Sequence, residues 1–309
     1  MRWMAPCAGA AVLLAGCASS SKTAAPTTTP ATAAAAPMTT IAGSVARGSG
    51  PVNVLYAGSL VNLMEKQIAP PFGQATGFSF NGFSGGSTGL ASEIKGKVRQ
   101  GDVFISAAPS VNDTLEGSAN GNWVSWYATF ADSPLVLGYN PDSKFANDLK
   151  TKPWYQVLAE PGILVGRTDP ATDPKGKLTV TALQAAAQQY SEPALTGEAA
   201  STSNVFPEET LVGRLQAGQL DAGFFYSSEA TAASLPAVPV TVPGQSLKAT
   251  YTVTVLSGAP SEAGAEAFVA YLLGPRGRAV LQKDGFNLVT PPKVTGSGVP
   301  SALSSLLAG

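Results

Sequence analysis

Not one histidine occurs in the 309 residues of this chain. A Ser-His-Asp triad, a Cys-His dyad and a His-ligated zinc site are therefore all excluded. Cysteine is almost as scarce: there are two, Cys7 and Cys17, both close to the N-terminus. Charge is sparse as well, with 13% of residues charged and Lys+Arg (19) nearly cancelling Asp+Glu (20). Such a balance sets up no field that would draw in nucleic acid or a charged membrane surface, and no nucleic-acid partner is expected. What is plentiful is apolar and small: 44% of residues are hydrophobic, and there are 33 glycines and 24 prolines. That is ample for a sizeable core.

The first residues, Met1-Arg2-Trp3-Met4, carry one positive charge ahead of a short apolar stretch ending in Leu14-Ala15-Gly16-Cys17. This is the pattern of a signal peptide, and the stretch is shorter than the about 20 apolar residues that span a bilayer. Leu14-Ala15-Gly16-Cys17 resembles the bacterial lipobox, in which cleavage precedes a cysteine that is then acylated. Residues 1–16 are accordingly expected to be a lipoprotein signal peptide, with Cys17 as the lipidation site. Residues 17–50 are mostly Ala, Ser, Thr, Pro and Gly, a composition that cannot bury enough apolar surface to offset chain entropy. They read as a disordered tether, with a mean reach of roughly 30 Å.

Order is expected from Val52-Asn53-Val54-Leu55-Tyr56, a short strand followed by Ala57-Gly58-Ser59 and then by Leu60, Leu63, Met64 and Ile68 at helical spacing. The same unit recurs with Phe78-Ser79-Phe80, the turn Gly85-Gly86-Ser87, and Leu90, Ile94 and Val98. A third strand, Val103-Phe104-Ile105, runs into Ser106-Ala107. Strands alternating with helices indicate an α/β fold with a mostly parallel sheet. Further strands are expected at residues 135–139, 163–165, 222–226 and 251–255, with helices near 265–273 and from Pro275 towards Gly285.

Three strand ends thus carry small, hydroxyl-bearing turns: Gly58-Ser59, Gly86-Ser87 and Ser106. Helix N-termini present unpaired N–H groups, and glycine lets a ligand approach the backbone closely. Converging at one sheet edge, such turns would form a cavity for a small anion without any formal positive charge. Singly, each serine reads as a helix cap. Gly82-Phe83-Ser84-Gly85-Gly86 also fits the nucleophile-elbow pattern of serine hydrolases, although no histidine exists to serve Ser84 as base. Residues 166–176 hold two Asp-Pro turns, explicable by turn chemistry alone or as a ligand-binding loop. Asn112-Asp113-Thr114 matches a glycosylation sequon by pattern only.

Taken in order, Val54-Leu55-Tyr56-Ala57-Gly58-Ser59-Leu60, Gly86-Ser87, Asp102-Val103-Phe104-Ile105-Ser106-Ala107 and Trp126-Tyr127-Ala128-Thr129-Phe130-Ala131 resemble the tungstate/molybdate-binding proteins of ABC importers. The likeness continues through Pro134–Tyr139, Trp154-Tyr155-Gln156-Val157-Leu158, Asp173-Pro174-Lys175-Gly176, Leu215–Asp221 and Phe268–Gly277 to Gly285-Phe286. The resemblance implies a two-lobed periplasmic-binding-protein fold of type II, with residues 51–128 and 240–309 in one lobe and 129–239 in the other. The chain would cross between them near residues 126–133 and 236–242. It implies an extracytoplasmic, monomeric receptor without cofactor or catalysis. That receptor would deliver a tetrahedral oxyanion to an ABC permease from a lipid anchor on the outer face of the cytoplasmic membrane.

By position, Ser59 and Ser87 would donate to the anion, while Asp173 and Tyr226 approach from the second lobe. The family places a Glu just before that Tyr, where it helps an Asp expand the coordination of the metal; here the position is Phe225. Simple tetrahedral capture is then favoured, an unpaired Asp173 beside a dianion is awkward, and sulfate or phosphate remains open as ligand. A solute needing an ion pair would call on Arg167. A sensory role for the same fold stays open too.

Overall fold

The computed structural model describes residues 45–308. The expected signal peptide, Cys17 and residues 18–44 of the expected tether lie outside them. Residues 45–50, also assigned to the tether from composition, belong to the folded part. Val45 packs on the core, the Gly48 N–H donates to the Thr76 carbonyl, and the Gly50 carbonyl accepts from the Ser79 N–H. Main-chain pairing holds this stretch, and composition does not register main-chain pairing.

Among the described residues, nine strands form one connected, curled sheet. They are β1 Pro51–Ala57, β2 Ser79–Gly85, β3 Val103–Ser106, β4 Trp126–Tyr139, β5 Val165–Gly166, β6 Ala222–Tyr226, β7 Ala237–Pro239, β8 Lys248–Val255 and β9 Asn287–Gly296. The order is β2-β1-β3-β8-β4-β6-β5, with β7 and β9 also pairing on β4. The sheet is mixed. β1 runs parallel to β2 and β3, and β5 to β6, as strand–helix alternation demands. Every pairing of β4 and β8 is antiparallel, so the expectation of a mostly parallel sheet holds at the two ends and fails in the middle.

β4 is the central element. Its residues Ala128 to Pro134 pair with β8, and Trp126 to Asp132 with β9. From Leu135 to Tyr139 it pairs with β6 instead. The changeover of partners therefore falls between Pro134 and Leu135. Proline has no N–H for a ladder, and its position marks where one set of partners ends. The return path is residues 240–247: the Val240 N–H donates to the Leu135 carbonyl, and the Leu135 N–H donates to Leu247.

Helices cover both halves. In the first, the chain after β1 is helical over residues 58–76, changing pitch before the α-helix Ala69–Thr76. Pro70 and Pro71 fall where the pitch changes, and having no N–H they make no main-chain bond back to the preceding turn. Phe72 from this helix meets Phe268 of the helix Glu262–Leu273 edge-on, with centroids 5.2 Å apart and planes at 80°. Both are fully buried, a stabilisation of about 1.5–3 kcal/mol per side chain. In the second half, Leu211 and Leu215 of the helix Glu208–Gln216 pack with Val136, Leu220 and Phe225.

Candidate anion-binding site

The parallel register fixes the site. Ala57 pairs with Gly85 and Tyr56 with Ile105, so the C-terminal ends of β1, β2 and β3 lie level. The turns at Gly58-Ser59, Gly86-Ser87 and Ser106-Ala107 are thereby set side by side. From the other half, β6 ends at Tyr226, and the turn after β5 leads through Arg167 and Thr168 to Asp173. A cavity of about 330 Å³ opens between Gly85, Gly86, Thr168, Thr172, Asp173 and Glu208.

Neither Ser59 nor Ser87 caps a helix. The capping positions are Ala57 and Gly86, with no side-chain bond at either. The Ser59 hydroxyl pairs with the Tyr251 hydroxyl at 2.9 Å. Ser87 is fully buried, and its Oγ accepts from the Ala107 N–H at 3.1 Å, so it ties the second turn to the third. Ser106 is not brought into the cavity: its Oγ donates to the Ala108 carbonyl and accepts from the Ala108 N–H, closing a tight local turn. Ser84 sits inside β2 opposite Tyr56 rather than on a strand-to-helix elbow. Asn112 is buried and donates to Thr252 Oγ1 at 2.8 Å, an interior hydrogen bond.

Two glycines let the halves meet. A Cβ on Gly86 would lie 2.4 Å from the Thr172 carbonyl oxygen, and one on Gly58 would lie 2.8 Å from Glu208 Oε2. The helix Ser87–Lys95 offers its first-turn Gly89 N–H to that same Thr172 carbonyl at 3.0 Å. An oxygen from the second half thus already occupies one donor of the turn that was expected to hold an anion.

The double Asp-Pro segment shows the turn chemistry expected of it. Asp169 Oδ1 accepts from the Ala171 N–H, an ordinary Asx turn. Asp173 caps the helix Pro174–Tyr190, its Oδ1 accepting from the Lys175 N–H at 2.8 Å. Its other oxygen is buried without a partner. Arg167, the expected ion-pairing residue, is buried and donates to the carbonyls of Ala199 and Ser201 instead.

A formal positive charge lies next to the cavity lining, beside Glu208. Lys175 is fully buried, and its ammonium donates to both oxygens of Glu229, at 2.9 and 3.0 Å. Glu229 in turn accepts from the Tyr226 N–H, which begins the helix Ser227–Ala232. Glu208 Oε1 forms a second, longer ion pair with Lys175 Nζ at 3.2 Å, and neither Glu208 oxygen has a further hydrogen-bond partner. The Tyr226 hydroxyl and the Thr168 hydroxyl are likewise buried and unpartnered.

Three carboxylates therefore surround one ammonium. Burial would lower the Lys175 pKa, but Glu229, Glu208 and Asp173 outweigh it and hold it above the ordinary lysine range. Burial pushes the Asp173 carboxyl up, against the pull of Lys175. Glu208 is raised well above the ordinary range by burial and then by Asp173. Burial, with Asp173 next, keeps Tyr226 protonated, so its free hydroxyl is available as a donor.

Lys175, Glu208 and Glu229 carry no sequence motif that announces them. A signal existed for Lys175 alone, within Asp173-Pro174-Lys175-Gly176. A helix-starting Asp fixes the direction of the two residues after it. Phe225 has a clear place as well. It is fully buried over Gly138 and Gly223, where added Cβ atoms would stand 2.8 and 2.9 Å from its ring, and it packs on the helix that begins with Glu208.

Residues 52–287 match the family of bacterial extracellular solute-binding proteins. The chain belongs to that family. This solute-binding protein is 28% identical over 298 residues to an uncharacterised solute-binding protein of Petrotoga mobilis, covering 84% of this chain and 91% of that one. It is 26% identical over 238 residues to the molybdate/tungstate-binding protein WtpA of Thermococcus kodakarensis, covering 60% and 66%. Its fold superposes on the periplasmic molybdate-binding protein of Azotobacter vinelandii with a TM-score of 0.59 at 21% identity, over 77% of this chain and 99% of that one. The α/β architecture is thus that of periplasmic binding proteins. No helix among the described residues is long and apolar enough to cross a membrane.

Proposed function

We propose that this solute-binding protein captures a small tetrahedral oxyanion, molybdate or tungstate foremost, and passes it to the permease of an ABC importer without chemical change. The observation that carries this reading is the meeting, across one cavity, of the Gly85-Gly86 turn from the first half of the sheet with Thr168, Thr172, Asp173 and Glu208 from the second. The turn at Gly58-Ser59 ends level with Gly86 because β1 and β2 are in parallel register, and the Thr168 hydroxyl on the cavity and the Tyr226 hydroxyl at the end of β6 are buried without partners. Unsatisfied buried hydroxyls cost the free protein about 1–3 kcal/mol each, a debt that an oxyanion settles. The halves joined by β4 would act as two lobes that close on the ligand, because the closed arrangement makes contacts the open one lacks. The relatives named for molybdate and tungstate support the choice of ligand. Anchoring through Cys17, and action as a monomer at the outer face of the cytoplasmic membrane, belong to the same proposal.

Thermal-shift titration of the full chain against molybdate, tungstate, sulfate and phosphate tests it. Ligand at about 100 times its dissociation constant adds roughly 2.7 kcal/mol, visible as a raised melting temperature. A rise confined to molybdate and tungstate is expected. A rise with sulfate or phosphate alone reassigns the ligand, and no rise with any of the four sinks the reading.

A further inference from the structure

The charges at the site do not suit a bare dianion. Lys175 is the one ammonium among the buried groups, and Glu229 already holds it with both oxygens. That leaves Asp173 and Glu208 as two further carboxylates, 2% and 4% exposed, both lining the cavity. These carboxylates do not converge as a set that would hold a metal ion. A dianion entering beside them would meet two negative charges in a place with little water to screen them.

Glu208 is the group placed to yield. Apart from the ion pair with Lys175, neither of its oxygens has a hydrogen-bond partner, and one faces the Gly58 backbone at the end of β1. The groups facing it are Asp173 and Lys175 from the Pro174–Tyr190 helix and its cap, and Glu229 from the Ser227–Ala232 helix. Tyr226 from β6 and Tyr251 from β8 face it as well. Only Lys175 among them is cationic. Asp173 is less suited to take up the proton, because Oδ1 serves as a helix cap and works best ionised.

Building on the oxyanion reading, we propose that the ligand is captured together with one proton, which resides on Glu208 in the complex. Glu208 as a neutral acid removes one repulsive charge and gains an O–H that can donate to an anion oxygen. The balance is simple: the free site plus a dianion plus one proton from solvent gives the complex, with no bond broken in the ligand. Burial next to Asp173 already favours the protonated acid, in keeping with this assignment. Phe225 fits the scheme, because it buttresses the helix that delivers Glu208 to the cavity rim.

Calorimetric titration of the full chain with molybdate, and separately with sulfate, in buffers of equal pH but different ionisation enthalpy, counts the protons taken up. Both ligands stay dianions near neutral pH, so uptake reports on the protein. Uptake should climb towards one proton as pH rises and free Glu208 ionises, with the dissociation constant rising about tenfold per pH unit in that range. Glu208→Gln should abolish that uptake and flatten the pH profile. Binding with no proton uptake at any pH in the wild-type protein overturns the proposal while leaving oxyanion capture intact. Unchanged uptake in Glu208→Gln places the proton elsewhere and overturns the assignment. Absence of binding by either anion at any pH overturns the oxyanion reading itself.

Discussion

The Gly89 N–H donates to the Thr172 carbonyl at 3.0 Å, a main-chain hydrogen bond joining the two halves across the mouth of the cavity. It exists because Gly86, one turn earlier, has no side chain to hold Thr172 away.

Gly86→Ala should therefore block closure without disturbing either half. Gly86 has φ −59°, a conformation alanine adopts freely, so the local backbone is not strained. The new Cβ would meet main-chain atoms of residue 172 that cannot turn aside. At least tenfold weaker anion binding, or about 1.4 kcal/mol, is expected with little change in melting temperature. Wild-type affinity in this variant would show that the contact is dispensable.

Tyr226→Phe separates binding from folding. The hydroxyl it removes is buried and has no partner, so stability should hold or rise by up to about 1 kcal/mol, while affinity falls. Ser87→Ala makes the contrast. Its Oγ satisfies the buried Ala107 N–H, and losing it should cost about 1–3 kcal/mol of stability whatever happens to binding. Urea denaturation beside ligand titration resolves the two.

Removing the ammonium should be the most damaging single change at the site. Lys175→Met leaves Glu229 and Glu208 buried without a counter-charge, a loss of about 3–5 kcal/mol. Adding Glu229→Gln should restore part of it, and the double-variant coupling in urea midpoints measures how much.

The ligand-free protein should become more stable as pH falls below neutral. Glu208 and Asp173 have folded pKa values raised above their ordinary ones, so the native state holds more protons than the unfolded chain in the window between. This contribution to stability is fully present below the ordinary values of 4.5 and 3.8 and is lost as pH rises through the raised folded values. Melting temperatures from about pH 8 down to about pH 5.5 should climb, and Glu208→Gln should climb less. A wild-type curve that falls over this range contradicts the assignment.

Local pattern revealed the turns and hid the charges. The strand, Gly/Ser turn and helix sequence around Gly58 and Gly86 carries its own geometry, because parallel neighbours must end at the same edge. The helices Glu262–Leu273 and Pro275–Lys283 were legible from apolar spacing and from Gly274-Pro275. By contrast, the first half of β4 was not expected as a strand, since Pro134 interrupts its pattern and its partners lie far along the chain. β9 is obscured in the same way by Pro291 and Pro292. Lys175 meets Glu229 at a separation of 54 residues, and no spacing rule reaches that far. The likeness to the tungstate/molybdate binders implied a carboxylate missing at Phe225 on β6; that Glu208 reaches the cavity from the start of a helix was not legible.

One strand serves both halves, and this has a practical side. β4 is not a linker that can be cut and its flanks produced apart. Severed between Pro134 and Leu135 and produced apart, the second fragment would hold β8 without β3 or the first part of β4, and the first would hold those two strands without β8 between them. Each fragment would show a raw edge of unpaired N–H and C=O groups, the kind of surface on which chains stick together. A two-piece biosensor made by dividing this protein at its middle should therefore precipitate, and reporter groups are better carried on the outer helices of an uncut chain.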